Sequence, residues 1–190
     1  MEAARLSSSD VSAPTPYVVN VRDLVHRPGE MRERDLDFAV PERLGEGAAS
    51  VAAGEQLHIH LRLEGLHDGV LATGEVDTLA RGECVRCLDP VELDVQVDFQ
   101  ELFAYSPDEA FDFVVRDDQL DLEPVVRDAV VLSLPFQPVC RPDCPGLDPL
   151  TGERLPDGYE PPVEQAIDPR WAALEGLQIA DSDNDSEEKR

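Results

Sequence analysis

Apolar and polar residues alternate most cleanly from Leu57 to Glu64. Leu57, Ile59, Leu61 and Leu63 fall on one side, and His58, His60, Arg62 and Glu64 on the other. A period of two marks a strand with one face in a core and one in water. The same period recurs beyond Asp89-Pro90. There Val91, Leu93, Val95, Val97 and Phe99 alternate with Glu92, Asp94, Gln96, Asp98 and Gln100. Leu102 breaks the parity, which predicts a bulge or strand end near Glu101. Val70 to Ala80 reads as a further strand. Leu36, Phe38 and Val40 suggest a strand ending at Pro41, and Tyr17 to Val21 is a short β-prone run. Residues 44–54, rich in Gly and Ala, read as a loop.

Helical spacing is rarer. Asp121 can cap a helix over 122–134 with Pro124 in its first turn. Val125, Val126, Ala129, Val130 and Leu132 form its apolar stripe, and it stops before Pro135. Asp168-Pro169 opens a short helix over 168–178, with Trp171, Leu174 and Leu177 on one side. Between strands and helix, Phe111, Phe113 and Val115 lie among acidic residues and predict a short strand and an acidic loop. The expected architecture is α+β: a mainly antiparallel sheet with a packed helix. One domain spans 17–180, flanked by a disordered tail at 1–16 and a disordered acidic tail at 181–190.

Cysteine spacing adds chemistry to this frame. Cys84 and Cys87 form a CxxC between two strands expected to pair antiparallel, so a hairpin tip presents both thiols. Cys140 and Cys144 form a CxxxC after the helix. Two chelating pairs separated by residues 88–139 are the pattern of a tetrahedral four-cysteine zinc site, closed and therefore structural. This predicts a zinc-ribbon-like element over 84–144. Two disulfides, four buried thiols and a redox CxxC are the alternatives, although the βαβ setting of a redox pair is not evident.

Charge narrows the function. The chain carries 41 acidic residues against 16 basic ones, a formal charge of −25. Binding nucleic acid requires phosphate neutralisation by Lys and Arg, so broad RNA or DNA coating is disfavoured and a basic protein partner suits the field better. Candidate partner contacts are Asp108, Glu109, Asp112, Asp117 and Asp118, with Trp171, Leu174 and Leu177 as an apolar anchor. The alternative is direct RNA contact through Arg22, Arg27, Arg32 and Arg34, joined by Arg81 and Arg86 if folding brings them close. His58, His60 and Glu64 share a strand face without recognisable catalytic spacing. The acidic residues at 108–123 lack the clustering of a metal-dependent nuclease. The chain starts without an apolar signal region and has no long apolar run, so a cytoplasmic, membrane-free protein with reduced thiols is expected.

The order of these parts resembles the YceD family of large ribosomal RNA subunit accumulation proteins. The matching pieces are Glu83-Cys84-Val85-Arg86-Cys87-Leu88 after a strand, the strand after Pro90, and the helix from Leu122 to Leu134. Pro135-Phe136-Gln137-Pro138-Val139-Cys140 and the final Asp168-Pro169-Arg170-Trp171 with Leu174 and Leu177 also match. Many members continue Cys-x-Gly-Leu-Cys, whereas here Cys144-Pro145-Gly146-Leu147 is followed by Asp148. The resemblance implies a role in large-subunit ribosomal RNA accumulation or maturation and no established catalytic activity. A ribosomal protein or ribosome assembly factor is then the expected basic partner, and a metal-dependent RNA-processing enzyme the remote alternative.

Overall fold

In the computed structural model the alternating runs become strands whose apolar sides meet in one core. The structure describes residues 15–106 and 112–159. The tails, the acidic stretch that holds Asp108 and Glu109, and the expected helix 168–178 with Trp171, Leu174 and Leu177 lie outside them. The chain divides into two compact units, Met1–Asp157 and Gly158–Arg190, and every element named here lies in the first.

In chain order the elements are β1 (Val18–Asn20), β2 (Met31–Ala39), β3 (Ala49–Ser50), β4 (Gln56–Gly65), β5 (Gly69–Glu83) and β6 (Pro90–Ala104). There follow β7 (Phe113–Val114), β8 (Gln119–Asp121) and α1 (Glu123–Ser133). The main sheet runs β2-β4-β5-β6-β7, and β1 pairs with β8 in a separate two-stranded ribbon. β3 takes up the edge of β5 beyond the end of β4, with Ala49 opposite Gly82.

Register fixes the two faces. Leu57, Ile59, Leu61 and Leu63 stand opposite Thr78, Val76, Gly74 and Ala72, which stand opposite Val95, Val97, Phe99 and Glu101. Partners across a ladder share a face, so these residues make the covered side. α1 packs against β6 on that side, and Val19, Leu120, Leu122, Val125, Val126 and Val130 complete the core. The other side of the sheet is open and polar: Glu33, Asp35, Asp37, His58, His60, Arg62, Glu75, Asp77, Asp94 and Asp98 stand on it.

Four readings are corrected. The strand β6 runs unbroken through Glu101 to Ala104, so no bulge or end lies there. Leu102 simply sits on the open face opposite Leu71, while Phe103 continues the buried parity. The sheet is mixed at one edge, because β7 pairs parallel to β6. The stretch 44–54 is not merely a loop: Leu44 bridges Val51, and Leu44, Ala49 and Val51 are buried. Leu132 is 85% exposed and does not belong to the buried stripe of α1. Asp121 does assist the start of α1, its Oδ1 accepting from the Glu123 N–H at 3.1 Å, with Leu122 in the capping position.

Candidate metal centre

The long β5–β6 hairpin carries Cys84 and Cys87 at its tip. Two backbone hydrogen bonds shape the tip: Cys84 N–H donates to Asp89 O and Leu88 N–H donates to Cys84 O, each at 2.8 Å. Leu88 adopts a left-handed φ of 62°, which closes the turn. The chain after α1 returns to this tip, where Val85 N–H donates to Pro138 O at 2.9 Å. Cys140 and Cys144 follow, in a turn closed by Cys144 N–H to Arg141 O at 3.2 Å.

All four sulfurs lie within 4.8 Å of one another. Cys84 Sγ is 3.9 Å from Cys144 Sγ, and Cys87 Sγ is 3.7 Å from Cys140 Sγ. A tetrahedron with metal–sulfur bonds of about 2.3 Å has edges of about 3.8 Å, whereas a disulfide requires about 2.05 Å. The four cysteines are free, and their spacing would suit a shared metal ion, not two disulfides. Cys84, Cys87 and Cys144 are buried and Cys140 is exposed.

The electrostatics point the same way. Burial of the Cys84 sulfur opposes ionisation, but the backbone N–H groups of Cys140, Arg86 and Cys87 outweigh it and bring the thiol down to about 6. Cys140 is pushed up to about 12, by desolvation of its sulfur and then by the thiols of Cys144, Cys87 and Cys84. One thiol that ionises readily beside others that resist it describes groups competing over shared negative charge. A cation held by all four removes that competition.

Around the sulfurs, the Arg86 guanidinium donates to Pro142 O and Cys144 O, both at 3.0 Å, tying the two knuckles together. Gly146, at φ 85°, lies against Arg86, where a Cβ would approach Arg86 O to 3.1 Å. Arg154 pairs with Asp89, and Leu147 bridges Arg154. Asp148 turns the chain between them: its Oδ1 accepts from Leu150 and Thr151 N–H at 2.8 and 3.0 Å. These donors hold its carboxyl below the usual carboxylate range. Asp148 thus acts as a turn residue and is not part of the four-residue cluster. Sequence reading missed the structural roles of Arg86, Arg154 and Asp148; only the Asp-Pro-Leu-Thr-Gly turn pattern was there to signal the last.

The arginines proposed for RNA do not form one patch. Arg81 on the open face pairs with Glu55 and Glu92. Arg32, on the covered side of β2, pairs with Asp23 at 2.7 Å and donates to Asn20 O at 2.6 Å. Arg22 lies 3.4 Å from Asp118, and Arg86 is at the hairpin tip. Arg27 and Arg34 have no ion pair among the described residues.

Of the acidic candidates, Asp117 and Asp118 occupy a two-residue turn, with φ of 51° and 59° and reciprocal bonds between Arg116 and Gln119. Asp tolerates this left-handed geometry, which accounts for its presence there. Asp112, Asp117 and Asp121 line a cleft of about 360 Å³ together with Phe113, Arg116 and Gln119. On the open face, His58 Nδ1 meets Asp37 Oδ1 at 2.6 Å and His60 Nδ1 meets Asp35 Oδ1 at 2.7 Å. Those hydrogen bonds raise both imidazole pKa values. Among the described residues the four cysteines are the only group placed to hold a metal ion, and no described helix is long and apolar enough to cross a membrane.

Comparison with known proteins adds ancestry to this geometry. The model of the family described as large ribosomal RNA subunit accumulation protein YceD matches residues 72–178. An uncharacterized protein of Mycobacterium tuberculosis is 43% identical over 178 residues, 89% of this chain and 84% of its own length. An uncharacterized Mycobacterium leprae protein is 35% identical, covering 91% of this chain and 82% of its own. The Bacillus subtilis protein YlbN is 28% identical over 53% of this chain and 62% of its own. No solved structure matches.

Proposed function

Because the chain belongs to the YceD family, the large ribosomal RNA subunit accumulation proteins, we propose that it is a non-enzymatic factor of large-subunit biogenesis that works by holding a basic protein partner. A ribosomal protein or an assembly factor is the chemistry that suits it. The family description supports the general ribosome-biogenesis role. The choice of partner rests on one observation: four of the six candidate RNA-binding arginines are already engaged by carboxylates or backbone carbonyls, while the acidic residues on the open sheet face and in the cleft beside β7 and β8 greatly outnumber their bases. Phosphates find few free cations here, and a Lys- or Arg-rich chain finds many free carboxylates.

In the same reading the four cysteines hold one structural zinc, with Cys84, Cys87, Cys140 and Cys144 as ligands in a ribbon-like element. Zinc would supply charge compensation and a crosslink between the hairpin tip and the chain after α1, with no open position for chemistry. The protein would act in the cytoplasm. The test sets purified protein against large-subunit RNA fragments and against basic ribosomal proteins at physiological salt. Neutralising Asp112, Asp117 and Asp118, with Asp108 and Glu109, should weaken the protein complex and leave RNA binding unchanged or tighter. Tight RNA binding that is abolished by Arg-to-Ala changes at Arg22, Arg27, Arg32 and Arg34 would refute the reading.

A further inference from the structure

The main sheet ends at β2, which among the described residues pairs only with β4. Its hydrogen-bonded pairs are the even-numbered residues. The two ends of the ladder fix this phase: Gly65 donates to Glu30 O at 2.9 Å and Val40 donates to Glu55 O at 2.8 Å. In an antiparallel ladder such pairs alternate, so Met31, Glu33, Asp35, Asp37 and Ala39 direct their N–H and C=O groups away from the sheet. This edge is nine residues long, well above the short edges that proteins usually leave open.

The same odd-numbered residues place Glu33, Asp35 and Asp37 on the open face. A strand laid along β2 would bond to their backbone groups, and its opposing side chains would stand directly beside the three carboxylates. Its alternate residues would meet the other side of β2, where Leu36 and Phe38 are half-buried and Arg32 and Arg34 precede them, so that small or apolar residues and not cations suit those positions. A second copy of β2 is a poor occupant. Antiparallel self-pairing about Asp35 sets Glu33 against Asp37 and Asp35 against Asp35, and like charges in opposed positions repel.

We propose that β2 is a strand-addition site for an extended segment with Lys or Arg at alternate positions and apolar or small residues between them. The proposal rests on the basic-partner reading and specifies how such a partner is held: by backbone bonds to the edge, with the charge pattern setting the register. His60 and His58 share Asp35 and Asp37 with the incoming cations. Around them stand Glu33, Arg62, Glu75 and Asp77 from β2, β4 and β5. Protonation of the histidines therefore opposes binding, and the site favours neutral over mildly acidic solution.

The probe is a synthetic peptide of alternating lysine and valine, added to the full-length protein with amide signals followed by NMR. The expected result is saturable binding with shifts and slowed exchange at Glu33, Asp35 and Asp37. Methylating the peptide nitrogens that would face β2 should weaken binding at least tenfold, and so should the Asp35→Lys, Asp37→Lys double variant. A peptide of the same composition with its lysines in one block should bind at least tenfold more weakly. Equal binding of the methylated or blocked peptide overturns strand addition while leaving the basic-partner reading intact. Failure of the alternating peptide to bind, or shifts confined to other strands, also overturns it. Failure of the basic-partner reading shows separately, as loss of any association with basic ribosomal proteins.

Discussion

Replacing Arg86 with alanine separates two uses of the same side chain. Its guanidinium makes two 3.0 Å bonds to the carbonyls of Pro142 and Cys144, across the two halves of the cysteine cluster. Hydrogen bonds from a charged donor contribute about 1.5–3 kcal/mol when buried. Arg86 is exposed, and only its bond to Cys144 O is partly buried, so about 1 kcal/mol each is the fitting scale, about 2 kcal/mol in all. These bonds exist only when the two knuckles are together, which is also the state in which the four sulfurs can share the proposed zinc. At 1.4 kcal/mol per factor of ten, the loss becomes about 30-fold in zinc affinity, inside the range of about 10–100-fold usual for groups that orient ligands from behind. Competition with a chromophoric chelator at fixed pH measures this directly. Arg86→Lys should fall between: both carbonyls accept from the single nitrogen Nη1, which an ammonium can imitate, but the lysine stem is shorter and its charge more strongly hydrated. Zinc affinity unchanged within twofold in Arg86→Ala would refute the tie, and a simultaneous loss of RNA binding would return Arg86 to the RNA reading.

Chelation of zinc should remove amide protection around 84–88 and 140–147 and leave β4 protected; global unfolding on chelation would contradict this, as would less than half an equivalent of zinc in fresh protein. His58 and His60 should titrate above the ordinary value of 6.5. A raised folded pKa contributes stability at pH below about 6.5 that is lost as pH rises through the folded value, so Asp37→Asn should cost more at acid than at alkaline pH and return the His58 NMR midpoint towards 6.5. Gly74→Ala places a Cβ 2.3 Å from the Phe99 ring, and the ring's shift should cost about 1–3 kcal/mol in urea unfolding. Replacing Asp117-Asp118 with Asn-Gly should stabilise by about 1 kcal/mol, since both positions are left-handed.

The parts legible in the sequence were those in which one residue in two faces a core. Leu57 to Leu63 and Val91 to Phe99 announced their strands because each lies on a sheet with one covered side. Leu102 misled because the open face carries its own apolar pair there, Leu71 with Leu102, and alternation alone cannot tell a change of face from a strand end. Leu132 lies seven residues after Val125 and so shares its side of the helix. Val130 in the same turn is buried while Leu132 is left exposed, and no periodicity records where cover stops. The parallel pairing of β7 is two residues long and depends on tertiary proximity. In the site, four cysteines were visible because ligand chemistry is tied to residue type. Arg86, Arg154 and Asp148 were not, because an arginine that grips a carbonyl looks in sequence like one that faces water.

Cys84, Cys87 and Cys144 form their own small buried cluster with Val91, with Cys140 at its exposed side, while the main core of the domain contains none of the four. This division has an evolutionary consequence. If the cluster holds zinc as proposed, a lineage short of zinc could discard it without dismantling the sheet, but each sulfur left behind alone would gain nothing from the others. The four positions are therefore expected to persist or vanish as a set across descendants of this fold. Partial sets should be rare and short-lived, and chains without any cysteine should still fold around the residues of β4, β5 and β6.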